Sequence, residues 1–412
     1  MTFSTKAVAV LAGARDHFQL PLALNEGALL EALVTDMYWP ADRAWFEHTV
    51  GRVLPDSMIN KRYRTGLESR CVRVSTRAMA AFALMKMSGH TGLNPYKGTI
   101  LSREARNLAL EKGAALFAYS TYGIPAFSDI GSRPPFRFLF QMHPHPATAR
   151  AILTDEMERV PWARASLLEE YEFTTSDREY AQLCEEPALA NGWVVASSYT
   201  ASTLAEHGIP RERIHVVPYG VDADAFPARA AAPDRRQRFT IIYVGSLIQR
   251  KGLAYLLDAV ELLGTSEVRV VLCGRGVVDE QLVSHYRKLP LEIHVGLPRD
   301  ALVREIQKSD IFVLPSIAEG FAHVILETMS CGVPVVTTTN TCSFDVMRDG
   351  EHGFVIPIRD APTLADRLSW AMEHREELAG MGEAAATQAS HFTWERFRAG
   401  IRDAYARMLD AA

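Results

Sequence analysis

Short apolar runs recur along the chain, and most are followed by a stretch in which apolar residues return every three or four positions. The runs cover residues 7–11, 114–120, 136–141, 193–197 and 214–217, then 239–244, 268–272, 291–295 and 311–314, with two more near Val333 and Phe354. Continuous apolar runs read as strands buried on both faces, the habit of parallel sheets. The periodic stretches read as helices at about 19–30, 198–207, 299–308, 321–329, 362–374 and 376–390, with a last helix after Trp394. Strands and helices alternate with short loops, which predicts an α/β protein built on doubly wound parallel sheets.

At 412 residues the chain exceeds one usual hydrophobic core, so two domains are expected. Residues 223–237 are alanine-rich, carry Pro227 and Pro233 and lack periodicity, so they read as the linker. A net charge of −5 gives no global basic field, so a nucleic-acid partner is not expected. The five cysteines are odd in number and form no C-x-x-C pair, which argues against a disulfide framework or zinc site and fits a reducing compartment. No apolar run reaches the length of a membrane span. Residues 61–86 hold Lys61, Arg62, Arg64, Arg70, Arg73, Arg77 and Lys86 against Glu68 and read as one or two basic amphipathic helices. Such a face is either solvated or rests on an anionic membrane surface.

The most informative stretch is 318–334, AEGFAHVILETMSCGVP, which follows the run 311–314. A helix starting near Glu319 places Glu327 roughly 12 Å along the axis and about 80° around it. That separation exceeds the roughly 5 to 9.5 Å of glycoside-cleaving carboxylate pairs. The two acids instead suit the two ends of a long polar ligand, with an anion held between them by the helix N-terminus. Sugar, diphosphate, ribose is such a ligand. His143 and His145 follow the run 136–141 in a loop stiffened by Pro144 and Pro146, at the sheet edge where open α/β sheets bind ligands. Arg15, His17 and Gln19 hold the equivalent place after the first strand.

Residues 319–327 match the E-G-F-x-x-x-x-x-E motif and resemble the retaining GT-B glycosyltransferases of family GT4. The resemblance implies that Glu319 contacts the donor hexose and Glu327 the ribose, with Gly320, Phe321 and Ala322 at the diphosphate. Ala322 stands where Gly or Ser is common. The family's G-R-L…K-G loop is similar to 245–252: Lys251 matches, Ser246 replaces the arginine, and Arg250 is the nearest substitute. By the same resemblance His143 and His145 face the donor sugar, Arg275 and Leu297 wall the base, and Gly13 marks the first-strand loop. The segment 214–222 resembles a family strand ending P-N-G-V-D, with Tyr219 in place of Asn.

The implied architecture is two Rossmann-like domains facing across a cleft. Residues 1–222 would bind the acceptor and 238–390 the nucleotide sugar, while 391–412 would form a helix crossing back to the first domain. The implied activity is retaining, metal-independent transfer of a hexose, from a UDP-sugar first or GDP-mannose next, to a hydroxyl of a small-molecule or lipid-linked glycan. No cofactor beyond the donor is implied. The expected location is cytoplasmic, with peripheral contact at the inner membrane face. A glycoside phosphorylase on the same fold and a non-catalytic nucleotide-binding regulator are the alternatives.

Overall fold

The expected strands pair into two separate parallel sheets. The protein is described by a computed structural model over residues 5–39, 63–81, 94–131, 135–234 and 236–411. The first sheet holds β1 (Ala7–Val10), β2 (Leu30–Thr35), β3 (Val72–Val74), β4 (Ala115–Tyr119), β5 (Arg137–Gln141), β6 (Gly192–Val195) and β7 (Ile214–Val216), in the order β3-β2-β1-β4-β5-β6-β7. The second holds β8 (Phe239–Leu247), β9 (Val268–Val278), β10 (Leu291–Val295), β11 (Ile311–Leu314), β12 (Val335–Thr338) and β13 (Gly353–Ile356), in the order β10-β9-β8-β11-β12-β13. Every residue of β1, β4, β11 and β12 is buried, as helices on both faces of a sheet require.

Strand order reverses between β1 and β4 in one sheet and between β8 and β11 in the other. A crevice opens beyond the carboxyl ends of the strands at such a reversal, because successive helices leave to opposite faces. The two crevices face each other. The closing helix Trp394–Asp410 returns to the first domain. There Arg398 donates to Gln19 Oε1 at 2.8 Å, and the Tyr405 hydroxyl donates to the carbonyl of Thr5 at 2.7 Å. This is the GT-B arrangement.

The domains touch through polar groups. Ser197 Oγ donates to the Gly320 carbonyl at 2.6 Å, and the Ser198 amide donates to Asp345 at 2.8 Å. The helix Pro146–Arg159 of the first domain carries Glu156, fully buried, against the second. Glu156 accepts from Arg359 Nε at 2.7 Å and from Gln249 Nε2 and the Tyr255 hydroxyl, each at 2.8 Å.

Two local expectations are corrected. The helix expected over 19–30 ends at Glu26; Ala28 turns with φ 55° and Leu30 begins β2. Apolar residues run straight from helix to strand there, so periodicity alone could not place the break. Within 61–86, Val72–Val74 is the edge strand β3 rather than part of a helix, because it pairs with β2. Residues 61–62 and 82–86 of that stretch lie outside the described residues.

Candidate active site

The site is assembled at the strand reversal of the second sheet. After β8 the chain forms the turn Gln249–Lys251 and then Gly252, which has φ +71°. A Cβ on Gly252 would lie 1.8 Å from the Pro315 carbonyl oxygen, so only glycine lets the loop after β8 pass this close to the loop after β11. The contact is tied by the Ile317 amide, which donates to the Arg250 carbonyl at 3.0 Å. Arg250 and Lys251 are thereby carried to Glu319.

The Glu319 side chain is 8% exposed. It accepts from Arg250 Nη1 at 3.1 Å and Ser316 Oγ at 3.2 Å, and it forms a close ion pair with the Lys251 ammonium. Arg250 also donates to Glu170 of the first domain at 2.8 Å. Burial acts against every charge here. For Glu319 the Lys251 and Arg250 charges outweigh it, and the carboxyl pKa falls below its usual value. For Lys251 burial prevails: Glu319 opposes it, Arg250 adds to it, and the ammonium pKa falls as well. A second anion placed beside Lys251 and Arg250 would relieve that cost.

Glu319 does not stand on the helix. It lies in the loop after β11, and the helix spans His323–Ser330 behind Ala322, which has φ +69°. The expected 12 Å and 80° relation of Glu319 to Glu327 therefore does not apply, since it assumed one continuous helix. Gly320 is pinned at the domain contact: a Cβ there would lie 1.8 Å from the Met142 carbonyl oxygen. Phe321 is buried against the Tyr219 ring, 5.2 Å centroid to centroid.

His143 borders the same cleft as Arg250 and Gly320. His143 is open to solvent in the cleft, yet desolvation by the protein packed around it, then the Arg250 and Arg15 charges, lower its pKa to about 4, so it is neutral near pH 7. His145 is placed differently. It caps the helix Pro146–Arg159 by accepting from the Ala147 amide, bonds the Cys184 carbonyl at 3.2 Å and stacks on His207 at 3.8 Å. Gln19 is spent on Arg398, whereas Arg15 lines the cleft beside Tyr122. The Gly13 amide donates to Asp36 at 2.9 Å.

Glu327 is half-buried, and among the described residues no hydrogen bond or ion pair involves its carboxylate. Burial raises its pKa to about 7 against the weaker pull of Arg299 and Arg275. Arg275 is exposed, its carbonyl accepting from Ser246 Oγ at 3.2 Å, and Leu297 packs partly into the core. Ser246 thus ties the ends of β8 and β9 together, and the cations beside Glu319 are Arg250 and Lys251.

Residues 227–388 match the model of the family described as glycosyl transferases group 1. The similarity lies in the second domain and takes in both the loop after β8 and the loop after β11. D-inositol 3-phosphate glycosyltransferase from Corynebacterium efficiens is 27% identical over 262 residues, 58% of this chain and 62% of that protein. The chain spans 58%, 62% and 55% of the length of the first curated relatives it matches. Sucrose-phosphate synthase from Thermosynechococcus elongatus aligns with a TM-score of 0.64 at 16% identity, over 99% of this chain and 100% of that one. Anabaena HepE in complex with UDP-glucose aligns with a TM-score of 0.59 at 15% identity, over 97% and 98%. At these identities the likeness is one of fold.

Two side chains that pack against Arg250 and Phe321 were not among the candidate site residues of the sequence. Glu170 lies outside any strand end, and only the fold brings it to Arg250. Tyr219 replaces an expected Asn and fills a ring cluster, stacking on His323 at 4.5 Å and meeting Phe397 at 5.2 Å.

Proposed function

We propose that this protein transfers a sugar from a nucleoside diphosphate sugar to a hydroxyl group. The carrying observation is the convergence of Arg250, Lys251 and Glu319 at the strand reversal, opposite His143. Without ligand, Glu319 and Glu170 together neutralise the two cations. A donor diphosphate takes over that pairing, and the Glu319 carboxylate is then free to accept from sugar hydroxyls. As the bond to the sugar breaks, charge grows on the diphosphate, and in this reading Lys251 and Arg250 stabilise it. Glu327, unpaired one helix away, suits the ribose hydroxyls.

Retention of configuration and a phosphate oxygen as the proton acceptor belong to the same reading, as does independence from metal. The UDP-glucose bound by Anabaena HepE makes UDP-sugars the first donors to try, with GDP-mannose next. No helix among the described residues is long and apolar enough to cross a membrane. Contact with an anionic bilayer through 61–86 is tested by liposome co-sedimentation at low salt; absence of the protein from the pellet removes it. The reaction itself is tested by calorimetry with UDP and GDP, then by nucleotide release from the matching sugar donors. Binding of neither nucleotide overturns the proposal.

A further inference from the structure

Beyond Arg250 and Gly320 the cleft continues into the first domain as a cavity of about 510 Å³. Its wall is amphipathic and unevenly charged. Glu170, Glu172, Glu179 and Glu186 line it, against Arg15 and Arg250. Arg250 is already committed to Glu170 and Glu319, and Arg15 lies over the Tyr122 ring, 5.5 Å from its centroid. Glu186 is buried and accepts from the amides of Gly123 at 2.6 Å, Thr121 at 2.8 Å and Ile124 at 3.3 Å. The backbone donors that could have received a phosphate are thus occupied by a carboxylate. Arg103, Arg106 and Arg178 stand in the adjoining groove, outside this cavity, and Arg106 is held there by the Ser128 carbonyl and Asp129.

A second observation concerns Gln141, which also lines the cavity and is 3% exposed. Its Nε2 donates to the His143 carbonyl at 3.0 Å, which fixes the amide orientation because a carbonyl only accepts. Its Oε1 is buried with no partner among the described residues. A buried acceptor without a partner is costly to leave so, and this position favours a ligand that brings a donor. A hydroxyl supplies one; a phosphate dianion has no proton to give. Tyr122, Tyr171, Ile124 and Pro125 add flat apolar surface that suits the C–H face of a sugar ring.

We infer that this cavity takes the acceptor, and that the acceptor residue seated in it is an uncharged, hydroxyl-rich ring rather than a phosphorylated one. A phosphate here meets Glu172 and Glu179, which have no cation partner among the described residues, and like charges brought together at a desolvated site repel strongly. The inference rests on the transferase reading for the donor but concerns a different ligand. Among the described residues no three acidic, histidine or cysteine side chains are placed to hold a metal ion.

The test uses the full chain saturated with whichever nucleoside diphosphate binds. Matched pairs, glucose with glucose 6-phosphate, mannose with mannose 6-phosphate and inositol with inositol 3-phosphate, are titrated by saturation-transfer NMR. In at least one pair the neutral member is expected to bind about 10-fold or more tightly than its phosphate. The charge-reversed variant Glu172→Lys, on the cavity wall, is expected to narrow that preference by a similar factor. Phosphates binding as well as or better than every neutral partner, or a preference unchanged in Glu172→Lys, overturns the inference. Nucleotide binding to the same sample separates this failure from failure of the donor reading.

Discussion

Lys251 and Glu319 form a buried ion pair between two loops that leave neighbouring strands of one sheet. Arg250 shares the same carboxylate oxygen. Glu170 holds Arg250 from the other domain, so two acids balance two cations, and the proposed donor diphosphate would displace Glu319 from this cluster.

From this pair follows the first prediction. Lys251→Ala and Glu319→Ala are each expected to lower turnover by roughly 10²-fold or more, the scale for losing one contact that stabilises developing charge. They should differ in binding: Lys251→Ala weakens a free nucleoside diphosphate, whereas Glu319→Ala leaves that affinity equal or higher because it frees Lys251 and leaves Arg250 with Glu170 alone. Turnover by nucleotide release and affinity by calorimetry check both parts. Turnover within twofold of wild type in both variants contradicts the assignment.

The second prediction concerns Glu327, whose pKa burial raises from 4.5 to about 7. The folded protein holds this proton more tightly than the unfolded chain. Between about pH 4.5 and 7 folding therefore takes up a proton, and the contribution of Glu327 to stability falls as pH rises. Glu327→Gln should flatten that part of the curve, measured by denaturant unfolding across the window; Glu186, raised in the same direction, retains its share. If the carboxylate grips ribose hydroxyls, the affinity gap between wild type and Glu327→Gln for the bound nucleotide should widen as pH passes about 7.

Gly320 gives a third. A methyl group at its Cβ meets the Met142 carbonyl at 1.8 Å, and Ser197 and Thr200 hold the Gly320 carbonyl from the other domain. Gly320→Ala must push the domains apart. Displacement of about 1 Å is enough to cost roughly 10²-fold in turnover. Small-angle scattering should report a larger radius of gyration, while circular dichroism stays that of the wild type. An active and equally compact variant contradicts this.

Glu156 gives a fourth. Removing it leaves the Arg359 guanidinium, Gln249 and Tyr255 at the domain boundary without their shared acceptor. Glu156→Ala is expected to destabilise the protein by about 3 kcal/mol, the scale for breaking a buried pair from one side. Arg359 keeps its second partner, Asp155, at 2.5 Å, which limits the loss. Denaturant unfolding measures the change.

The fifth is a gain. Ala322 sits in the left-handed region, where a Cβ crowds the following carbonyl. Ala322→Gly should raise stability by about 1 kcal/mol, because relief of that strain exceeds the added freedom of the unfolded chain. A lower melting temperature would contradict it.

The chain itself determined the alternation of strands and helices, because burial on both faces writes a continuous apolar run that is visible without coordinates. It also marked Glu319, Lys251 and Arg250, which lie in loops at strand ends, where ligands meet open sheets. Tertiary structure alone decided the rest. It assigned His145 to a helix cap and His143 to the cleft, although the two are separated only by Pro144, because a single loop residue reverses which way a side chain faces. It took Glu319 off the helix, since the turn at Ala322 depends on how two loops pack and not on periodicity. It brought Glu170 to Arg250 across eighty positions of sequence, a contact that depends on how the domain of one sheet packs against the domain of the other.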